Sequence, residues 1–270
     1  MTHFRMLVSR VRARGAPLIR SVIIVGLLCA AWQGYAAWLN DPLIFPSLSE
    51  TLAAWWGDMV SGEIPARAAS SIELLAEGYA VGTAAAVLVT ALAVTSRLGD
   101  DLLSALTAIF GSLPGIALLP LAMMWFGLGR PSMLFVLSHS VIWPLSLNAR
   151  AGFNAVPETL RLVGRNYGLG HARLLALIMA PAAFPAVLSG LRIGWAFAWR
   201  TLVGAELIFG INAGSGGLGW YIYLEKNAME TTNVFAGLLT IAFLGLAMEA
   251  LFRFIESRTV ARWGMKRALA

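Results

Sequence analysis

Five ionisable residues, Glu73, Glu77, His139, Arg200 and Glu206, sit inside stretches that are otherwise apolar. Charged or titratable groups in apolar helices are costly and face a cavity, a partner or a transported solute. Arg200 has the most specific chemistry of the five, because a guanidinium keeps its charge at any working pH and presents a fork of donors to planar or tetrahedral oxyanions. That chemistry suits nitrate or a sulfonate. Two readings stand side by side: Arg200 binds an anion, or it pairs structurally with Glu206, Glu77 or Glu73. Arg200 and Glu206 are six residues apart and do not share a helix face, so an internal partner would come from another helix.

Trp199, Glu206, His139, Glu77 and Glu73 join Arg200 as the candidate solute path. Glu73 and Glu77 are four apart on one face, where like charges repel, which calls for a basic partner or for water. His139, flanked by Ser138 and Ser140, could line a pore or hydrogen-bond between helices. It has no second His or Cys at metal-ligand spacing, and His3 and His171 fall in the tail and in a loop. No metal site is expected, and the convergent acid, base and nucleophile of an enzyme are missing from the pattern.

The elements that must hold these residues are membrane helices. The chain is 59% hydrophobic and 13% charged over 270 residues, with mean hydropathy +0.74, far from a soluble balance. Apolar runs predict six spans at Val22–Leu39, Ile72–Thr95, Leu102–Phe126, Met133–Leu147, Ala182–Phe209 and Val234–Phe254, since a span needs roughly 20 residues. The net charge of +6 raises nucleic acid as a partner, but the basic residues flank the apolar runs, as membrane topology requires. Fifteen of the twenty Lys and Arg fall on one side of a six-span layout, among them Arg20, Arg97, Arg150, Arg161, Arg258 and Lys266. Both termini are therefore expected in the cytoplasm, with no nucleic acid as partner. The expected organisation is a basic tail at 1–21, a permease-like membrane domain at 22–258 and a second basic tail at 259–270. The run after the amino-terminal arginines is too long for a cleaved signal and is expected to stay as the first helix. The single cysteine, Cys29, lies in that run and reads as a packing residue.

Three local features refine this layout. Ser47 and Glu50 in PSLSET have capping-box spacing and open a short helix with Trp55 and Trp56. The third span carries Pro114 and Pro120 among Gly111, Gly115, Gly127 and Gly129. Either it is a bent helix, or it is a break whose freed backbone groups line a cavity. Gly78 with Gly82, and Gly190 with Gly194, have the spacing that lets helices approach closely.

The loop at about 149–181 contains PETLRLVGRNYGLGHARLLALIMAP, a polar, basic helix followed by an apolar ascent. Here the sequence resembles the permeases of ABC importers, whose loop carries Glu-Ala-Ala, a glycine four residues on, and Ile-x-Leu-Pro ten residues after that. Gly168, Ile178 and Pro181 stand in that register. Leu162, Val163 and Gly164 stand where the Glu-Ala-Ala belongs, and Ala180 replaces the leucine. SLPGIALLPLAMMWFGLG, PAAFPAVLSGLRIGWAFAWRTLVGAELI, GSGGLGWYI, FPSLSETL and SGEIPARAASSIELLAEGYAVG look like the nitrate, sulfonate and taurine branch of that family. The likeness covers about residues 40–258.

The resemblance implies an all-α inner-membrane permease of the type I importer kind, moving a small anionic solute of sulfonate, taurine or nitrate type. It implies a second permease copy, most simply identical, two cytoplasmic ATPase subunits that bind ATP and magnesium, and a periplasmic solute-binding protein. No cofactor is expected on this chain. It lacks the G-x-x-x-x-G-K-[ST] phosphate loop, so the ATPase would be another polypeptide. The coupling segment would run from about Leu160 to Arg173, with Leu162, Val163, Gly164, Arg165, Gly168, His171, Arg173, Ile178 and Pro181 meeting or supporting the ATPase. A secondary transporter working without ATP is the alternative, although the paired repeats usual in that class are not evident.

Overall fold

The computed structural model describes residues 2–209 and 216–260, with side chains for 20–208 and 216–260. All regular elements among the described residues are helices. They are α1 (Thr2–Leu39), α2 (Leu48–Ser61), α3 (Glu63–Thr95), α4 (Arg97–Phe110), a 3₁₀ turn (Gly115–Leu118), α5 (Leu119–Phe126), α6 (Arg130–Asn154), α7 (Glu158–Asn166), α8 (His171–Leu174), a π-helical turn (Leu175–Met179), α9 (Ala180–Phe209), α10 (Leu218–Asn227) and α11 (Thr231–Arg258). Five helices are long and apolar enough to cross a membrane, and the bent pair formed by α4 and α5 makes a sixth if counted as one span. The side chains of the first basic tail before Arg20, and Arg262, Lys266 and Arg267, lie outside the described residues.

The core is a three-helix stack in which α6 lies between α3 and α9. Leu75, Val136, Leu137, Val141, Ala198 and Leu202 meet there. Both glycine pairs explain why the stack is tight. A Cβ at Gly82 would lie 2.8 Å from the Ser138 carbonyl oxygen, and one at Gly190 would lie 3.1 Å from the Leu145 Cα. In lipid, helix association relies on such close approach, because burying apolar surface between helices gains little over burying it in acyl chains. By contrast α1 stands at the periphery, with Val22, Leu27 and Leu28 each 65% exposed, an apolar surface of the kind that lipid covers.

The capping box forms as expected. Ser47 Oγ accepts from the Glu50 N–H at 3.2 Å, and the Ser47 N–H donates to the Glu50 carboxylate at 2.9 Å. The Ser47 hydroxyl, donating to the Glu50 carboxylate at 2.7 Å, and the Ser47 N–H hold the Glu50 carboxyl below its ordinary pKa. The helix that follows is not separated from the next span by a loop: Gly62, at φ 86°, turns α2 straight into α3. The second span therefore begins at Glu63 and not near Ile72. Trp55 donates its indole N–H to Thr240 on α11 at 3.1 Å, whereas Trp56 is 65% exposed.

The third span is a break, not a gentle bend. After Phe110 the chain runs through Gly111, Ser112, Leu113 and Pro114, and the two halves meet at 84°. Pro114 supplies no amide donor, and the chain resumes as a 3₁₀ turn with the Ala117 N–H on the Pro114 carbonyl at 2.9 Å. Gly115 fits because a Cβ there would strike Ser140 Oγ on α6.

Candidate functional site

The break opens a cavity of about 640 Å³ between the end of α4, the Gly111–Ile116 turn, α6 and α9. Arg200 and His139 both line it. On α9, Ile193, Phe197, Arg200 and Thr201 recur at helical spacing and form one wall. Across the cavity base, Thr201 Oγ1 and Ser140 Oγ share a hydrogen bond of 2.9 Å that ties α9 to α6. Arg200 is exposed and makes no ion pair with any described residue. His139 is 7% exposed, and neither ring nitrogen makes a hydrogen bond of normal geometry. Its ring edges onto Phe110 and Trp143, which stack on each other at 5.6 Å.

The other path candidates are elsewhere. Trp199, one residue along and about 100° around the helix from Arg200, is buried in the core cluster. Glu206 lies roughly a third of a turn off the Arg200 face, and its 2% exposed carboxylate holds the start of α10. Ser71 Oγ donates to it at 2.9 Å, as does the Gly219 N–H, while Ser71 Oγ accepts from the Leu218 N–H at 2.9 Å. These are the free N–H groups of a helix whose N-cap, Gly217, has no side chain to serve them. A Cβ at Gly217 would strike both Glu206 Oε1 and Ser71 Oγ. Glu206 is thus a buried helix cap, and it makes no ion pair with Arg200.

Glu73 and Glu77 likewise do not meet Arg200. Arg130, at the start of α6, donates Nη2 to Glu73 at 2.9 Å and Nε to Glu77 at 2.8 Å, and also pairs Nη2 with Glu77 Oε1. All three side chains are at least 43% exposed. Arg130 is the basic partner that two carboxylates four residues apart call for. Arg192, also on α9, pairs with Glu249 on α11.

The coupling candidates gather at the other end of the bundle. Leu162, Val163, Gly164 and Arg165 are on α7, Gly168 in the turn after it, His171 and Arg173 on α8, Ile178 in the π turn and Pro181 at the start of α9. Gly168 has φ 73°. Its N–H reaches the Arg165 carbonyl at 2.9 Å, and the Leu169 N–H reaches the Gly164 carbonyl at 3.1 Å, the two bonds of a Schellman cap. Gly164 is buried, and a Cβ there would lie 2.6 Å from Ile178 Cδ1 and also strike Leu174 Cδ1. The ascending α8 and π turn therefore rest directly on the backbone of α7. On its free side α7 shows Leu160, Val163 and Tyr167, at 41, 48 and 83% exposure, spaced i, i+3, i+7 as one stripe.

Sequence reasoning missed Ser71, Arg130, Glu249 and Trp143. Ser71 sits in a run of small residues with nothing to mark it, and Arg130 and Glu249 are ordinary span-end charges until their partners are known. Trp143 was hidden among ten tryptophans. The proline and glycine pattern at 111–129 left a bend or a break open, and the structure shows the break.

The all-helical architecture with these spans is that of a multi-pass inner-membrane transport subunit. The profile of the family described as binding-protein-dependent transport system inner membrane component matches residues 78–261, and the chain belongs to that family. It falls in the branch of the nitrate, sulfonate and taurine ABC permeases. The aliphatic sulfonates transport permease protein SsuC of Escherichia coli is 26% identical over 88% of this chain and 89% of its own length. The nitrate import permease protein NrtB of Synechocystis is 28% identical over 71% of this chain and 68% of its own. The taurine transport system permease protein TauC of Escherichia coli is 31% identical over 58% and 56%. A solved structure described as an amino acid ABC transporter with histidines superposes with TM-score 0.60 at 17% identity, covering 76% of this chain and 97% of that one.

Proposed function

We propose that this chain is the permease of an ATP-driven importer that moves a small anionic solute, of sulfonate, taurine or nitrate type, inward by alternating access. Two copies pair, two cytoplasmic ATPase subunits dock on the α7 segment, and a periplasmic binding protein delivers the solute at the opposite end. Both basic tails, 1–21 and 259–270, lie in the cytoplasm and flank the membrane domain 22–258. ATP and magnesium are held by the ATPases, whose different affinity for nucleotide in their open and closed pairings supplies the bias between states. This chain binds no cofactor and performs no covalent chemistry.

The observation that supports this most directly is the construction of α7. Its free stripe of Leu160, Val163 and Tyr167 is apolar and unpartnered, in the form of a helix that seats in a groove of another protein. Its opposite side is bound through Gly164 to Leu174 and Ile178, which lead without interruption into α9 and the wall of the cavity. A push on α7 is carried to Arg200 along one continuous rod.

Purifying the tagged complex from membranes and identifying what accompanies it tests this. A phosphate-loop ATPase should co-purify, and should be lost when Leu160, Val163 and Tyr167 are replaced by serine. Recovery of the chain alone, still moving solute into liposomes without ATP, would replace the importer reading with a secondary transporter.

A further inference from the structure

We infer that the cavity at the broken helix selects an organic sulfonate with an uncharged apolar body, in preference to an aminosulfonate or an inorganic oxyanion. The inference rests on the importer reading and narrows its solute. Among the described residues lining the cavity, Arg200 is the only one with a permanent charge, and no carboxylate is present. Glu206, the acidic group nearest in sequence, is committed to the cap of α10, and Glu249 on the neighbouring α11 to Arg192. An anionic headgroup therefore finds a guanidinium that no described protein group neutralises. An ammonium group, as on taurine, finds no counter-charge and would be desolvated without a partner.

The remaining wall is apolar. Leu113, Ile193 and Phe197 are each at least 39% exposed and stand around the same space as Arg200. A bare inorganic oxyanion has nothing to place against them, whereas an alkyl chain does. Each methylene moved from water to such a wall is worth about fourfold in affinity. Behind the wall, the indole N–H of Trp143 and both nitrogens of His139 are buried without partners. Buried donors left unpaired are unfavourable, and a sulfonate oxygen held at Arg200 and accepting from the Trp143 N–H would relieve that cost.

The test uses the permease–ATPase complex in lipid nanodiscs, with methanesulfonate, propanesulfonate, pentanesulfonate, taurine and nitrate as probes in equilibrium dialysis. Affinity should rise along the alkyl series by up to about fourfold per methylene, with taurine and nitrate at least about tenfold weaker than pentanesulfonate. Arg200→Ala should weaken all sulfonates by about tenfold or more. Phe197→Ser should flatten the chain-length series, and Trp143→Phe, which keeps the ring stack, should weaken binding by about two- to tenfold. A flat series in the wild type, or taurine or nitrate binding as well as pentanesulfonate, would overturn the inference. So would unaltered binding in an assembled Arg200→Ala complex. If the complex still takes up taurine or nitrate with ATP, the importer reading survives this failure; if it takes up no anion with ATP, both fall together.

Discussion

Gly168 offers the sharpest test of how α7 is built. Its φ of 73° lies in the left-handed region, and a Cβ placed there meets nothing within 4 Å. The cost of a side chain is therefore purely conformational. An L-residue in this region costs roughly 1–2 kcal/mol, with β-branched residues at the upper end and asparagine the best tolerated. Gly168→Val should thus weaken the Schellman turn by about 2 kcal/mol, a shift of some 30-fold toward frayed forms. The bonds at risk are those from the Gly168 and Leu169 N–H groups to Arg165 and Gly164, and with them the seat of Ile178 on α7. The assay is solute taken up per ATP hydrolysed by the importer in proteoliposomes. The ratio should fall in the order Gly168→Asn, Gly168→Ala, Gly168→Val, with asparagine close to the native protein and valine hydrolysing ATP with little uptake. Valine behaving like asparagine, or both failing equally, would show that the backbone conformation at Gly168 is not what couples α7 to the spans.

Gly82→Ala, whose Cβ would meet α6 backbone at 2.8 Å, should destabilise the protein by about 1–3 kcal/mol, whereas Gly194→Ala, at 3.4 Å from Val141, should be tolerated; thermal unfolding in detergent separates them, and equal losses would discount the tight α3–α6 approach. Glu206→Gln replaces an acceptor with a donor opposite Ser71 or Gly219 and should cost about 1–3 kcal/mol. The loss should appear as a lower melting temperature with no change in solute selectivity, so an altered selectivity would return Glu206 to the solute path. Glu73→Gln and Glu77→Gln leave the cavity untouched and lie among exposed groups, so uptake should be unchanged in both. Glu77→Gln should loosen Arg130 more, because Glu77 takes contacts from both Nε and Nη2; loss of transport in either variant would place this pair on the path after all.

Much of the architecture was legible because bilayers leave a chain few options. Apolar runs of span length must become helices when no water can serve the backbone, so six runs in the sequence translate directly into α1, α3, the α4–α5 pair, α6, α9 and α11. Pro114 and its glycines narrowed the third span to a bend or a break by local rules alone, and Ser47 and Glu50 marked a helix start. Conformation at these points is decided by a residue and its immediate neighbours.

Partnership is decided otherwise. Which of three charges would meet Arg200 depended on the rotation of α3, α6 and α9 about their axes, and that rotation is set by where Gly78, Gly82 and Gly190 let backbones touch. The stack turned Glu73 and Glu77 toward Arg130 and Glu206 toward Ser71 and α10. It left Arg200 lining a mostly apolar cavity together with His139. Helical period places side chains relative to their own axis, but tertiary packing sets which axis they face, so the length of the apolar runs fixed the spans while packing separated Arg200 from the structural ion pairs of Arg130 and Arg192.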